Sequence, residues 1–189
     1  GSVDQSTSDE LKRAVAEGKN VLVAGPTGAG KTTLLNILCA LIPESDRIVA
    51  IEDAAELRLE GHVVRLESRR ANIEGVGDIT MRDLVRHALR LRPDRIVIGE
   101  VRGAEALDMV QALNTGHRGS MSTIHANGAR EALTRLEALA SMAPEDVPHN
   151  ALHSLTRSAI DVIVAVSRTG GARAVAEVVA VEDLAGDPE

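Results

Sequence analysis

The sequence predicts an α/β domain with a mainly parallel central sheet flanked by helices and a β-hairpin at its C-terminal end. Three observations carry this. Short apolar, β-branched runs alternate with helix-period segments, the pattern of strand–helix–strand units. The stretch Gly25-Pro26-Thr27-Gly28-Ala29-Gly30-Lys31-Thr32 reads G-x-x-x-x-G-K-T between one such run and one such helix, which is the pattern of a phosphate-binding loop. Two further apolar runs end in acids, Glu52-Asp53 and Glu100, at the strand tips where doubly wound sheets keep their ligands.

Composition sets the bounds. At 189 residues and 44% hydrophobic content the chain has the size of one domain and enough apolar side chains for a core. Gly1-Ser2 reads as an expression scar, and with a leading helix it makes up residues 1–18. Residues 19–184 form the domain and 185–189 an acidic tail. No apolar run approaches the roughly 18 residues of a membrane span, and no export signal opens the chain, so a cytoplasmic protein without an integral membrane segment is expected. The single cysteine, Cys39, falls on the buried-looking face of a helix and reads as a small core residue. The absence of Phe, Tyr and Trp and a net charge of -7 argue against nucleic acid as a partner. The segment Arg65–Arg102 carries nine arginines against six acids; solvated helix faces are the expected place for most of them.

In order, Thr7-x-x-Glu10 predicts a capping box for a short helix ending at Gly18. Val21-Leu22-Val23-Ala24 is a buried strand. The loop glycines let successive N–H groups converge, where the next helix adds its positive end. A polyphosphate suits that spot. Lys31 would reach its β- and γ-phosphates, and the Thr32 hydroxyl would hold a magnesium ion. Thr33, carried as a binding candidate with the loop, packs or caps. The helix continues through Leu34, Leu35, Ile37, Leu38 and Leu41. Arg47 to Ile51 is a second buried strand running into Glu52, a candidate for activating the attacking water. Asp53 is a weaker one; the alternative for both is a turn- or helix-capping acid. Residues 62–67 alternate as an outer strand or hairpin arm, and Ser68–Asp78 reads as a mobile loop.

Thr80-x-x-Asp83 caps a helix to about Arg90, with Arg82, Arg86 and Arg90 off its apolar face. Arg95 to Glu100 is a third core strand, and Glu100 would serve the metal, through water, and the nucleophile. A helix from Gly103 ends at Gly116. His117 and His125 then begin and end a stretch of small residues that forms a fourth core strand. Their spacing is poor for a metal; His125 is the better candidate for sensing the γ-phosphate. Asn127 reads as an N-cap for a helix over 129–140 with a Glu131/Arg135 pair. A helix near 149–158 follows, then the runs 160–166 and 174–181 around Gly170-Gly171 as a hairpin.

Taken together, Gly25 to Thr33, Ile51 to Leu57, Arg92 to Arg102 and Gly116 to Asn127 resemble the secretion or traffic ATPases of type II and type IV secretion and type IV pili. The likeness is nearest to the tight-adherence (Tad/CpaF-type, Flp) pilus assembly branch. In that family the four stretches correspond to a Walker A loop, an aspartate box, an atypical Walker B ending in Gly-Glu, and a histidine box. The resemblance implies a RecA-like P-loop ATPase domain using ATP and Mg2+. Lys31 and Thr32 become phosphate and metal contacts, Glu52 the catalytic acid, Glu100 the Walker B acid, and His117 and His125 the histidine-box pair. Arg102, Asp53 and Gly25 to Thr33 complete the implied site. Family members form hexameric rings at the inner membrane, with platform proteins as partners and an N-terminal domain that supplies arginines. That domain is not represented in this sequence, so ring formation and full turnover are expected to need it. Two other readings stay open: a nucleotide-gated assembly module without turnover, and a RecA-like nucleic-acid translocase.

Overall fold

The computed structural model describes residues 3–169 and 171–184; Gly1-Ser2, Gly170 and the acidic tail lie outside the described residues. The described chain starts with helix α1 (Gln5–Ala16). Strand β1 (Val21–Ala24) and helix α2 (Lys31–Cys39) flank the glycine-rich loop, followed by β2 (Ile48–Glu52) and β3 (Val63–Glu67). Helix α3 (Met81–Ala88), β4 (Arg95–Val101), α4 (Glu105–Asn114), β5 (Met121–Ile124), α5 (Ala129–Ala140) and α6 (His149–Ala159) follow. β6 (Val162–Thr169) and β7 (Ala172–Ala180) close the chain.

The strands form one sheet in the order β3-β2-β4-β5-β1-β6-β7. Every neighbouring pair is parallel except β6 and β7, the expected hairpin. Strand side chains alternate between two cores. Val21, Val23 and Val97 meet α1 and α2 on one face through Leu11, Val15, Leu34, Leu35 and Leu38. Leu22, Ala24, Val49, Ile51, Ile96 and Ile98 meet α3 to α6 on the other. Burial on both faces is why these strands read as unbroken apolar runs rather than as alternating ones. Parallel pairing places the C-terminal tips of β1, β2, β4 and β5 along one edge of the sheet.

Several local expectations differ from the structure. Helix α1 is capped by Asp4, whose carboxylate accepts from Thr7 N at 2.7 Å. The helix therefore begins one turn earlier than the Thr7 box predicts, because the carboxylate is there to satisfy a first-turn amide. Asn127 does not cap α5; Gly128 holds the cap position with an extended backbone, and Glu177 from β7 accepts from Ala129 N at 2.6 Å. Asn127 donates instead to Glu131, which turns that carboxylate away from Arg135. The Thr80–Asp83 capping box forms as expected. β3 is an outer strand parallel to β2, not a hairpin arm, and the loop after it is closed by an antiparallel bridge between Arg69 and Ile79.

Arg82 is largely withdrawn from solvent, whereas Arg86 stays half exposed. Both clamp the buried Asp108 of α4 and then Glu145, with Arg86 Nε 2.7 Å from Asp108. Arg95 is also buried, its Nε 2.7 Å from Asp46 and its Nη1 donating to Val15 O at 3.1 Å. Cys39 is the core residue expected, and burial pushes its thiol up to about 12.

Candidate nucleotide-binding site

The glycine-rich loop leaves β1 at Gly25, where β6 packs closely against the chain. A Cβ there would stand 2.6 Å from Val166 Cγ2 and 2.8 Å from the Val166 carbonyl on β6, so only glycine lets the loop leave between its neighbours. Gly28 and Gly30 adopt φ of 74° and 104°, the left-handed backbone that turns successive amides toward one point. Gly30 is also the residue before α2, which puts the helix N-terminus and the unpaired first-turn amides at that same point.

Lys31, at the first turn of α2, is buried. Its Nζ donates to Gly25 O at 3.0 Å and Pro26 O at 3.3 Å. It also lies 3.3 Å from His125 Nε2 and 3.5 Å from Glu100 Oε1. Burial lowers its pKa from the lysine value, and the Glu100 carboxylate works against that shift. Thr27, Gly28, Gly30, Thr32 and Thr33 line a cleft of roughly 410 Å³ with Lys31. Thr33 is exposed at its rim rather than packed.

Glu52 and Glu100 enter this cleft from neighbouring strands. Glu52 is 4% exposed at the tip of β2. Its Oε1 accepts from Glu56 N at 2.9 Å and Leu57 N at 2.8 Å, so it supports the turn that follows β2 while its carboxylate lines the cleft. Glu100 sits on a β-bulge. Ile98 pairs with Ser122 and Val101 with Ile124, so β4 spends one residue more than β5 between those pairs. Bulges re-aim side chains beside active sites. Thr123 holds this one by donating to Gly99 O at 2.7 Å. Gly99 gives Glu52 its room, since a Cβ there would lie 3.1 Å from Glu52 Cγ.

Around these two acids the charges interlock. Glu100 pairs with Lys31, with Arg102 and, at 3.2 Å, with His125. Arg102 reaches Asp53 at 3.5 Å, and Asp53 accepts from Ser68 Oγ at 2.7 Å. The backbone at Arg102 is fixed by the buried Glu105, which accepts from Arg102 N and Gly103 N at 2.7 and 2.9 Å. The structure thus brings Lys31, Thr32, Glu52, Asp53, Glu100, Arg102 and His125 to one cleft. His117 is not among them. It lies before β5, at the opposite edge of the sheet, with Nδ1 3.1 Å from Ala112 O.

The donor set fits a nucleotide with a divalent cation. Glu52, Asp53, Glu56 and Glu100 wall the cleft, and a polyphosphate entering between them needs a cation to offset the repulsion. The Thr32 hydroxyl and carboxylate oxygens are the hard donors magnesium takes, with phosphates and waters completing its shell. Among the described residues no group of three or more His, Cys, Asp or Glu side chains is set to hold a metal without them. Sequence reasoning missed Thr123, Glu105 and the hairpin residue Arg173, which also lines the cleft. A signal existed only for Glu105, as an acid in the first turn of its helix.

Comparison with known proteins agrees with this architecture. The family described as "Type II/IV secretion system protein" matches residues 1–170. The putative conjugal transfer protein Rv3659c of Mycobacterium tuberculosis is 46% identical over 188 residues, covering 98% of this chain and 53% of its own length. The type IV secretion system protein PtlH of Bordetella pertussis is 44% identical over 173 residues, 86% of this chain and 49% of its own. The crystal structure of the VirB11 ATPase from the Brucella suis type IV secretion system superposes with a TM-score of 0.84 at 32% identity, over 94% of this chain and 53% of that one. The chain therefore spans about half the length of the relatives it matches. Among the described residues no helix is long and apolar enough to cross a membrane. By the extent of the family match and the identity to these relatives, the chain belongs to the type II/IV secretion system protein family.

Proposed function

We propose that this chain is the ATP-hydrolysing domain of a secretion or pilus-assembly motor of the Tad/Flp type. In the longer protein it works as one member of a hexameric ring. The ring is peripheral to the cytoplasmic face of the inner membrane, and platform proteins there take up its motion. One observation carries the catalytic part: Lys31, Glu100, Glu52 and His125 converge on one cleft at the mouth of the loop.

On nucleotide binding, Lys31 exchanges the Gly25 and Pro26 carbonyls for β- and γ-phosphate oxygens. Thr32 and Glu100 are the residues that would hold magnesium, which supplies charge neutralisation at the phosphates. Glu52, with Oε1 held by two backbone amides, keeps its other oxygen to orient water in line with the γ-phosphorus. His125 reads whether that phosphate is present. Catalysis is then positioning and electrostatics. Loss of the γ-phosphate returns Lys31 and His125 to Glu100, and the tip of β5 moves with them.

The test is phosphate release by the longer protein carrying Glu52→Gln. Gln keeps the Oε1 acceptor and the turn but loses the carboxylate. Turnover falls roughly 10²-fold; undiminished turnover would remove Glu52 from its role. The turn-supporting bonds of Glu52 favour a second reading, a nucleotide-gated assembly module that binds without turnover. Tight ATP binding with no phosphate release by the longer protein would select it. For a nucleic-acid translocase the acidic charge of -7 and missing aromatics are the wrong surface.

A further inference from the structure

We infer that Arg168 and Arg173, on the β6–β7 hairpin, form a cationic clamp built into the same chain that closes on the α- and β-phosphates of the nucleotide. The inference rests on the nucleotide site proposed above and adds a binding element from a part of the chain remote in sequence from the loop.

The geometry has four parts. Arg168 and Arg173 are direct cross-strand partners in the β6–β7 ladder. Like charges placed opposite each other on a strand pair repel. No ion pair or hydrogen bond to either side chain occurs among the described residues, while Glu177, the acid nearest on the same strands, is spent on Ala129 N. The pair stands over the glycine-rich loop: Arg168 Nη1 lies 3.8 Å from where a Cβ of Gly28 would be, and Arg173 Cδ 3.3 Å from the same point at Gly30. The hairpin that carries them is pinned at both ends of its reach, by Val166 against Gly25 and by Glu177 against the start of α5.

The sheet order fixes which part of the nucleotide the pair meets. β5 and β6 flank β1 on opposite sides. Glu100 and His125 come from the β4–β5 side and gather at the γ-phosphate end. The arginines come from the β6 side, over the loop glycines whose amides cradle the α- and β-phosphates. Arg173 lines the cleft and Arg168 Nη1 stands beside Gly28 at its rim, and two guanidinium forks without protein acceptors among the described residues are matched to phosphate oxygens by charge and by bidentate geometry. Their repulsion is relieved when the anion arrives. Because their targets survive hydrolysis, the clamp acts on ADP as much as on ATP, and it slows release of product.

The experiment is calorimetric titration of ADP, ATP and AMP into the 189-residue chain with magnesium, for wild type, Arg168→Gln, Arg173→Gln, the double glutamine variant and the double lysine variant. Thermal melts accompany each. Each single change is expected to weaken ADP and ATP alike by about tenfold, the value of one partly exposed charge-assisted hydrogen bond. The double glutamine variant should also show a shallower salt dependence of ADP affinity than wild type. The double lysine variant, which keeps charge without the fork, should recover part of the loss with its melt unchanged.

Unchanged ADP affinity in the double glutamine variant, with wild type binding, overturns the clamp and leaves the nucleotide site standing. A loss confined to ATP overturns the assignment to the α- and β-phosphates. Failure of wild type to bind any of the three nucleotides overturns the site and the clamp together.

Discussion

Gly99→Ala probes whether the bulge exists to place Glu52 rather than only to aim Glu100. The new Cβ would stand 3.1 Å from Glu52 Cγ and 3.5 Å from Oε1, where ordinary contact starts at 3.4 Å. Glu52 must therefore retreat by a few tenths of an ångström. It has little freedom to do so, being buried with Oε1 held at 2.9 and 2.8 Å by the amides of Glu56 and Leu57. Overpacking of this kind costs about 1–3 kcal/mol. One methyl group against a single side chain belongs near the lower bound, roughly 1 kcal/mol or 2–4 °C in Tm for a domain of this size. The catalytic effect is larger in proportion. A 1 Å misplacement of a positioned group costs on the order of 10²-fold, so a shift of a few tenths should slow phosphate release by the longer protein about three- to tenfold. Nucleotide affinity should hold within about twofold, since Gly99 does not touch the loop. Melting, binding and phosphate release on the same samples decide it. A lowered Tm with full turnover would refute the role of Glu52 in orienting water. No change in either would refute the packing argument itself.

Asp108→Ala leaves Arg82 and Arg86 with Glu145 alone and removes the buried partner of the mostly buried Arg82, so it should cost about 1–3 kcal/mol in urea unfolding. Replacing the whole cluster by apolar residues should cost much less. For Lys31, burial, partly opposed by Glu100, holds the folded pKa below 10.5. The unfolded chain therefore binds more protons in the alkaline window just below that value. The stability contribution of this group is complete above 10.5 and is lost as pH falls through the lowered value. Subtracting urea curves of Lys31→Met from wild type across that window should show the rise with pH. Nucleotide affinity, which needs the ammonium, should fall across the same window, as calorimetry would register.

How much of this was legible depended on how local each cause is. The loop from Gly25 to Thr33, the acids at the tips of β2 and β4, and the hairpin were readable because a strand, a turn and a helix start each leave a mark within a few residues. The parallel sheet followed from apolar runs separated by helix-length segments. What escaped the sequence was fixed by partners far along the chain. Nothing near Asn127 says that Glu177 will cap α5, and nothing near Arg82 says that Asp108, an acid inside an apolar helix, will need it. His117 stands away from the cleft for a simpler reason: β5 runs between it and His125, so the two histidines lie at opposite edges of the sheet, as their places in the sequence implied. Arg173 carried no signal, since an exposed strand arginine is ordinary until the loop it overhangs is known.

The account turns on whether the tips of β1, β2 and β4 serve the end of a triphosphate. The direct measurement is a crystal structure of the chain with magnesium and a non-hydrolysable ATP analogue. It should show Lys31 Nζ moved from the Gly25 and Pro26 carbonyls onto phosphate oxygens, with the Glu52 carboxylate within one water of the γ-phosphorus. An analogue bound elsewhere, or a Lys31 still on the loop carbonyls with Glu52 turned from the γ-phosphate, would contradict it.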